Sequence, residues 1–405
     1  MHGRLFRSAV ALLAASVLTL TAGCATGPTQ QSHGPVFFPP APNLPRLQYL
    51  TSFSNSADVT GSSADTVSLV SFGKQEEQKV SRIIKPSGIT TKNGKLYVTD
   101  IAGQLFVVDL PNKKMEQLKG NDGMGKLKKP VGVAVDSTGF VFASDIERKE
   151  VLIYDNNGEY LKSIGGDLGF TPTDIAVDDE NLYVLDTRKS VIRVLNPMTG
   201  AQIREIGKMD DPNQSLCLPT RMSLDDKGVL WVTNAGRGTV TSYDRDGHFL
   251  GTFGKFGDGM GQFARPKGIA TDENGYVYVV DSGHQNVQIF SDKGRLLGYF
   301  GSAKLPVGGM NLPSDISISK RDLDYFQKLA QKDFELSEVI FVANQFGENK
   351  IGVYGLGKLK GVDYDAAYRK AAEEREHKAQ EILKERKRQQ EMQDQQGKKD
   401  ATAKL

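Results

Sequence analysis

Few side chains in this sequence have the types and spacing that catalysis or metal binding requires. The five histidines are scattered, and only His248 and His284 lie in the repetitive part of the chain. Zinc needs three or four ligands in a fixed geometry, so a histidine-based zinc site is not expected. Cys217 has no candidate base near it in sequence, which favours a small buried residue over a nucleophile. We therefore expect no metal and no cofactor.

One acidic or amide side chain recurs once in each of six repeats, where a strand-like run ends. The set is Asp100, Asp145, Asp186, Asn234, Asp281 and Asn344. Converging oxygen ligands of this kind could bind calcium. A group that every repeat needs once is more typical of a hydrogen bond that holds a turn. We therefore predict a structural role for the set.

The repeats themselves predict the fold. Each begins with a proline, at intervals of 42–47 residues: Pro86, Pro130, Pro172, Pro219, Pro266 and Pro313. Four short strand-like runs follow each proline, separated by turn signals such as Asn93-Gly94 and Asn274-Gly275. Four strands at this period are typical of the blades of a β-propeller.

The best-formed repeat runs from Pro266 to Phe290. It contains Pro-x-Gly-Ile-Ala-x-Asp, a strand that ends in Asp281, and then Val-Gln-Ile-Phe. This pattern resembles the NHL repeat, and the resemblance extends over roughly residues 84–355. It implies an all-β, six-bladed β-propeller. Some propellers similar to these are enzymes that hold zinc or calcium at the central channel, so a metal-dependent lyase or lactonase is the alternative function.

The sixth repeat lacks a fourth strand, so an N-terminal segment is needed to close the ring. Residues 47–53 and residues 68–73 both have a suitable strand pattern, and the sequence does not decide between them. The propeller is therefore predicted to occupy residues 45–358. Within its last blade, Leu323, Phe326, Leu329, Ala330 and Phe334 fall at helical spacing, which predicts an inserted helix.

The two ends of the chain differ from the repeats. Residues 1–23 have a basic start and a short apolar run, typical of a signal peptide, and the sequence ending in Cys24 resembles a bacterial lipobox. The resemblance implies lipidation of Cys24, a membrane anchor, and an outer-membrane lipoprotein facing the periplasm or the cell surface. Residues 24–44 are predicted to be a Pro/Gln/Ser-rich tether. Residues 359–405 are predicted to form a charged helix and a disordered tail.

Exceptions to the repeat indicate a binding surface. At the third position of the repeat, three blades have glycine, whereas the others have Asp174, Arg221 and Asp315. The loops on the same face of a propeller would carry Arg148, Arg188, Arg237 and Arg265. Such a charged face steers partners, and we predict that these seven residues bind an envelope protein, peptide or polymer.

Composition narrows the class of partner. The chain has 51 Lys plus Arg and 49 Asp plus Glu, so it has no overall charge bias toward nucleic acid. An exported lipoprotein also seldom meets RNA. The sequence favours a binding or scaffold module over an enzyme and does not indicate an oligomeric state.

Overall fold

Six antiparallel sheets in the computed structural model correspond to the six repeats. The structure describes residues 34–61, 80–305 and 307–402. Residues 1–23, Cys24 and the candidate closing segment 68–73 lie outside the described residues. The protein is a six-bladed β-propeller, and this confirms the predicted fold class.

The bounds of the strands and helices follow the repeats. In chain order the strands are β1 (Phe37–Phe38), β2 (Leu47–Phe53), β3 (Pro86–Lys92), β4 (Lys95–Asp100), β5 (Gln104–Asp109), β6 (Lys114–Gln117), β7 (Pro130–Val135), β8 (Val141–Asp145), β9 (Glu150–Tyr154), β10 (Tyr160–Ile164), β11 (Pro172–Val177), β12 (Leu182–Asp186), β13 (Val191–Leu195), β14 (Gln202–Ile206), β15 (Pro219–Leu224), β16 (Leu230–Asn234), β17 (Thr239–Tyr243), β18 (Phe249–Phe253), β19 (Pro266–Thr271), β20 (Val277–Asp281), β21 (Asn286–Phe290), β22 (Leu296–Phe300), β23 (Pro313–Ser319), β24 (Phe334–Asn344) and β25 (Ile351–Leu359). The helices are α1 (Ser56–Thr60), α2 (Leu323–Gln327) and α3 (Tyr364–Thr402).

Each blade begins at its proline, on the innermost strand. This proline pairs with the recurring acid or amide at the end of the second strand, as in Pro130↔Asp145 and Pro266↔Asp281. Proline has no N–H to donate to a ladder, and the register shifts just after it in every blade. The innermost strands β3, β7, β11, β15, β19 and β23 contact one another in sequence, and β23 contacts β3, so the ring closes around a central channel.

The N-terminal segment 47–53 supplies the closing strand. β2 pairs with β25, with Leu47 opposite Leu356 and Phe53 opposite Ile351. β1, which lies within the predicted tether, adds a fifth strand to this blade. The ring of Phe38 is buried 6.1 Å from Phe300, measured between centroids. Of the two segments that the sequence left open, the structure places 47–53 at this edge.

The insertion in the last blade is only partly helical. α2 ends at Gln327, and Phe334 begins β24 instead of continuing a helix. Phe326 is buried 5.8 Å from Phe341, between ring centroids, while Phe334 is buried and pairs with Leu359. The predicted helical spacing through Phe334 is therefore wrong beyond the first turn, because the last residues of the insertion gain strand partners on β25.

The charged C-terminal segment forms α3. Its start is fixed to the propeller by Tyr364, whose hydroxyl donates to the carbonyl of Pro45 at 2.7 Å and accepts from the amide of Leu359 at 3.0 Å. The guanidinium carbon of Arg46 lies 5.4 Å from the centre of the same ring. In the described residues, no helix combines the length and apolar character needed to cross a membrane.

Candidate functional site

The propeller has two faces that differ in construction. On the loop face, the connections into each blade meet the connections between its second and third strands. The amide of Ile146 donates to Lys129 O at 3.2 Å, and that of Ser282 to Arg265 O at 3.0 Å. The turn face carries the tight turns between first and second strands, and between third and fourth strands.

The recurring acids hold the loop face together. Asp145 Oδ2 accepts from the amides of Lys128 and Lys129 at 2.6 and 2.9 Å. Asp281 accepts from the amides of Ala264 and Arg265 at 2.8 and 2.9 Å. Both carboxylates are fully buried. The predicted structural role of these acids is confirmed, because they satisfy the backbone of the incoming loops.

Arg221 crosses the channel just below the loop face. It starts from blade 4, and its Nη2 donates to the carbonyl and hydroxyl oxygens of Ser87 at 2.8 and 2.9 Å. Ser87 belongs to blade 1, which lies opposite blade 4 in the ring of six blades. Nη1 donates to the carbonyl of Thr173 in blade 3 at 2.6 Å. The guanidinium thus ties three blades together across the channel.

Two carboxylates flank this guanidinium. Asp174 Oδ1 lies 3.9 Å from Nη1, and Asp315 Oδ2 lies 3.7 Å from Nε. Each also accepts from the next innermost strand: Asp174 from the amide of Met222 at 2.8 Å, and Asp315 from that of Ile89 at 3.0 Å. We call Arg221, Asp174 and Asp315 the channel plug.

The burial of the charges in the channel plug costs free energy. All three side chains are buried, and one guanidinium serves two carboxylates. Burial raises the pKa of Asp174 and of Asp315 above the ordinary carboxyl range, although Arg221 opposes the rise in both. In the part of the chain that the structure describes, Arg221 Nε has no hydrogen-bond partner. Removing one member would leave an uncompensated buried charge.

Glycine takes the third position of the other three blades because neighbouring strands approach closely there. A Cβ added at Gly88 would lie 2.4 Å from Val131 O, and one at Gly132 would lie 2.6 Å from Asp174 Oδ1. At Gly268 it would lie 2.5 Å from Asp315 Cα. Glycine is therefore required at Gly132 and Gly268 by the neighbouring plug residues, and at Gly88 by the backbone of the next innermost strand.

The other predicted binding residues surround the plug without joining it. Arg148 is held by Glu150, at 2.8 Å, and donates to the carbonyls of Met124 and Lys126. Arg188 and Arg265 are exposed, and Arg237 is half-buried. The structure thus brings together Asp174, Arg221 and Asp315, while the four remaining arginines lie on separate loops. Binding by all seven residues stays a prediction.

Lys267 adds positive charge at the mouth of the channel. It precedes Gly268 on β19 and lies above the plug. Burial, with the positive charges of Arg265, Arg221 and Lys85, lowers the pKa of Lys267 to about 8. We call Lys85, Arg265 and Lys267 the basic mouth. Burial is the largest cause of this shift, and the part that comes from the neighbouring cations reflects a positive potential that would favour an anionic group.

Exposed apolar side chains are interspersed with these bases. On the connections that form the loop face they are Ile84, Met124, Leu218, Phe256, Met260 and Phe346. Lys85 Nζ lies 5.2 Å from the centre of the Phe346 ring. Aromatic, methionine and basic side chains together are typical of protein-binding surfaces.

Below the plug, the channel widens into a cavity that opens on the turn face. We call this 380 Å³ space the turn-face cavity. The plug carboxylates lie at its inner end, and Asp226, Glu273 and Lys320 are exposed at its outer end. Glu338, which also lines it, was missed from the sequence, although an acid within the apolar run of β24 is a signal for a special position. Among the described residues, no three His, Cys, Asp or Glu side chains are grouped to hold one metal ion.

Comparison with known families confirms the resemblance seen in the sequence. The model of the NHL repeat matches residues 263–290. Among solved structures, a virginiamycin B lyase from Staphylococcus aureus is 15% identical, covering 68% of this chain and 96% of that chain, with a TM-score of 0.46. A gluconolactonase from Xanthomonas campestris is 18% identical, covering 67% and 86%, with a TM-score of 0.47. Likenesses this distant carry no argument about activity.

Proposed function

We propose that this protein is a non-enzymatic binding module of the bacterial envelope, held to the outer membrane by a lipid on Cys24. Its loop face binds an envelope protein or peptide that presents acidic and apolar side chains. Arg188 and Arg237 add positive charge to that of the basic mouth, and Phe346 and Met124 contribute apolar contacts.

The observation that carries this proposal is the composition of the loop face above a closed channel. Arg221 spans the channel beneath the basic mouth, so a partner approaching from this side meets a surface and not a passage. Exposed apolar side chains and bases both lie on the connections of that face, and Lys85 lies over the ring of Phe346. Positive charge would steer an acidic partner, while buried aromatic area would supply affinity.

Photo-crosslinking in living cells tests the loop face. A photoreactive residue at Phe346 is expected to give a discrete adduct in the envelope, whereas the same residue at Lys293, exposed on the turn face, gives none. Charge reversal by Arg188→Glu with Arg265→Glu is expected to weaken the adduct, whereas Lys227→Glu with Lys293→Glu leaves it unchanged. Adducts of equal yield from both faces would contradict the proposal.

The lipid anchor has its own test. Metabolic labelling with an alkyne fatty acid is expected to mark the full chain and to be lost in Cys24→Ser. The matched control is Cys217→Ser, which removes the other cysteine and is expected to keep the label. Persistence of the label in Cys24→Ser would remove the anchor from the proposal and leave the binding face to be judged separately.

A further inference from the structure

Glu338 is a buried acid with spare hydrogen-bonding capacity. Its side chain is 1% exposed and lines the turn-face cavity. Oε1 lies 3.4 Å from Lys320 Nζ and accepts a long hydrogen bond from Asn274 at 3.5 Å. Oε2 has no hydrogen-bond partner among the described residues. A carboxylate oxygen left unpaired in a buried position costs free energy unless something occupies the space beside it.

The neighbours of Glu338 do not neutralise it. Lys320 is shared with Glu273, which lies closer to it, at 2.8 Å. Asp272 adds a further negative charge, although its own oxygens are taken by the amides of Asn274 and Tyr276 and by the hydroxyl of Tyr278. This corner of the cavity therefore has more negative than positive charge.

The lining of the turn-face cavity as a whole has the same sign. Seven acidic side chains and two lysines line it. Between the acids lie hydroxyl groups, of which Thr91 and Ser317 are 2.9 Å apart between their oxygens. Apolar side chains of the innermost strands complete the wall: Ile89, Val133, Ile175, Met222, Ile269 and Ile316.

We propose that the turn-face cavity is a binding site for a small organic cation, an alkylammonium, with Glu338 as its principal counter-charge. The ammonium group lies in the cavity beside Glu338, whose carboxylate balances its charge without a direct contact to the enclosed Oε2, and the methylene groups lie against the innermost strands. A volume of 380 Å³ is that of a small-molecule site. The site is on the opposite face from the binding surface proposed above, so neither proposal depends on the other.

An organic cation fits this lining better than a metal ion does. Calcium takes six to eight oxygen ligands at short distances, and the described residues contain no three acids grouped for one ion. The carboxylates outside the channel plug are instead distributed around the outer part of the cavity, as Glu338, Glu273 and Asp226 are. Distributed acids with an apolar wall suit a flexible chain that carries separated ammonium groups.

Binding would change the protonation of Glu338. Burial and the negative charges of Asp272 and Glu273 raise the pKa of Glu338 to about 7, against the opposing effect of Lys320. A bound ammonium would favour the ionised carboxylate, so binding near pH 7 would release protons. The heat of binding would then depend on the ionisation enthalpy of the buffer.

Isothermal titration calorimetry of the full chain in detergent, with spermidine as the probe, tests the site. We expect saturable 1:1 binding with proton release at pH 7. Glu338→Gln, which keeps the shape and removes the charge, is expected to weaken binding about tenfold or more and to abolish the proton release. Glu335→Gln, at an exposed position on the same strand, is expected to bind as the unchanged protein does.

Three outcomes would overturn the proposal: no saturable binding of spermidine, equal affinity in Glu338→Gln, or saturable binding of Ca²⁺ that excludes spermidine. Thermal unfolding of both variants checks that each is folded, so that a loss of binding in Glu338→Gln reports on the site. Triethylene glycol, a neutral probe of comparable shape, is expected not to bind.

Discussion

The two ends of the central channel differ in how their space is filled. At the loop end, charged side chains fill the space: Arg221 reaches from blade 4 to Ser87 in blade 1, with Asp174 and Asp315 beside it. At the turn end, the strands leave a cavity, and the buried Glu338 keeps one oxygen without a partner. The loop end is closed by side chains, whereas the turn end is open to solvent.

The difference suits the loop end of the channel to a structural role and the turn end to ligand recognition. The plug satisfies most of its polar atoms internally, so its charges contribute mainly to holding the ring in register. Glu338 Oε2 has no internal partner, so the charge of this carboxylate is left to be balanced by a cation in the cavity. Similar burial of acids at the two ends therefore has different consequences, because the number of internal partners differs.

The largest expected effect is at the closed end. Arg221→Met removes the cation that two buried carboxylates share, and we expect a loss of about 3–5 kcal/mol in the free energy of unfolding. Urea unfolding measures it. Arg265→Met, at an exposed position, is expected to change stability by less than about 0.5 kcal/mol. Adding Asp174→Asn and Asp315→Asn to Arg221→Met is expected to recover part of the loss, and equal stability of the two arginine variants would break the comparison.

The open end is expected to respond to pH. Because the pKa of Glu338 is raised to about 7 in the folded protein, and an unfolded glutamate titrates near about 4.3, the folded state holds the extra proton between these values. The stability that Glu338 contributes to the folded protein is therefore present below about pH 4 and lost as pH rises to 7. Glu338→Gln lacks this loss, so it should be more stable than the unchanged protein at pH 8, by up to about 4 kcal/mol, and similar at pH 4.

Unfolding free energies measured from pH 4 to 8 check this prediction. Glu335→Gln serves as the control and is expected to follow the unchanged protein throughout. A difference between Glu338→Gln and the unchanged protein that stays constant with pH would mean that Glu338 is already ionised in the folded state.

The smallest effect concerns the surface above the plug. With its pKa lowered to about 8, Lys267 should reach half of its maximal rate of amine labelling near pH 8. Peptide mapping by mass spectrometry measures this rate against pH. Arg265→Gln removes one of the positive charges responsible and should move the midpoint of Lys267 to higher pH, whereas Lys293→Gln, on the turn face, should not. An unchanged midpoint in Arg265→Gln would show that the charge of Arg265 does not contribute to the low pKa.

Much of the fold could be predicted because each blade repeats the same local sequence signals. Proline at the start of the innermost strand and an acid or amide at the end of the second strand recur six times, and both have local structural roles. The closing strand was not predictable, since residues 47–53 and 68–73 have similar strand patterns and the choice depends on pairing with β25. The end of α2 was missed for a similar reason, because Phe334 gains its partner, Leu359, from another strand.

The candidate site was predictable only where it departs from the repeat. Asp174, Arg221 and Asp315 were found because they replace glycine at one position, although the sequence could not show that Arg221 reaches blade 1. Glu338 belongs to the last blade, where the insertion interrupts the repeat and leaves no register for comparison. Its environment depends on Lys320, which follows β23 in the same blade, and on Asp272, which the packing of blade 6 on blade 5 brings beside it.

The pairing of β2 with β25 has a consequence for how the chain folds. Leu47 and Leu356 are partners across the sheet. β2 is synthesised early, and it cannot pair with β25 until that much later strand has also been synthesised. Closing so long a loop is slow, because the chain loses conformational entropy before the stabilising contacts form. Until then β2 presents an unpaired edge. The nascent protein would therefore need protection from aggregation until its final blade has emerged.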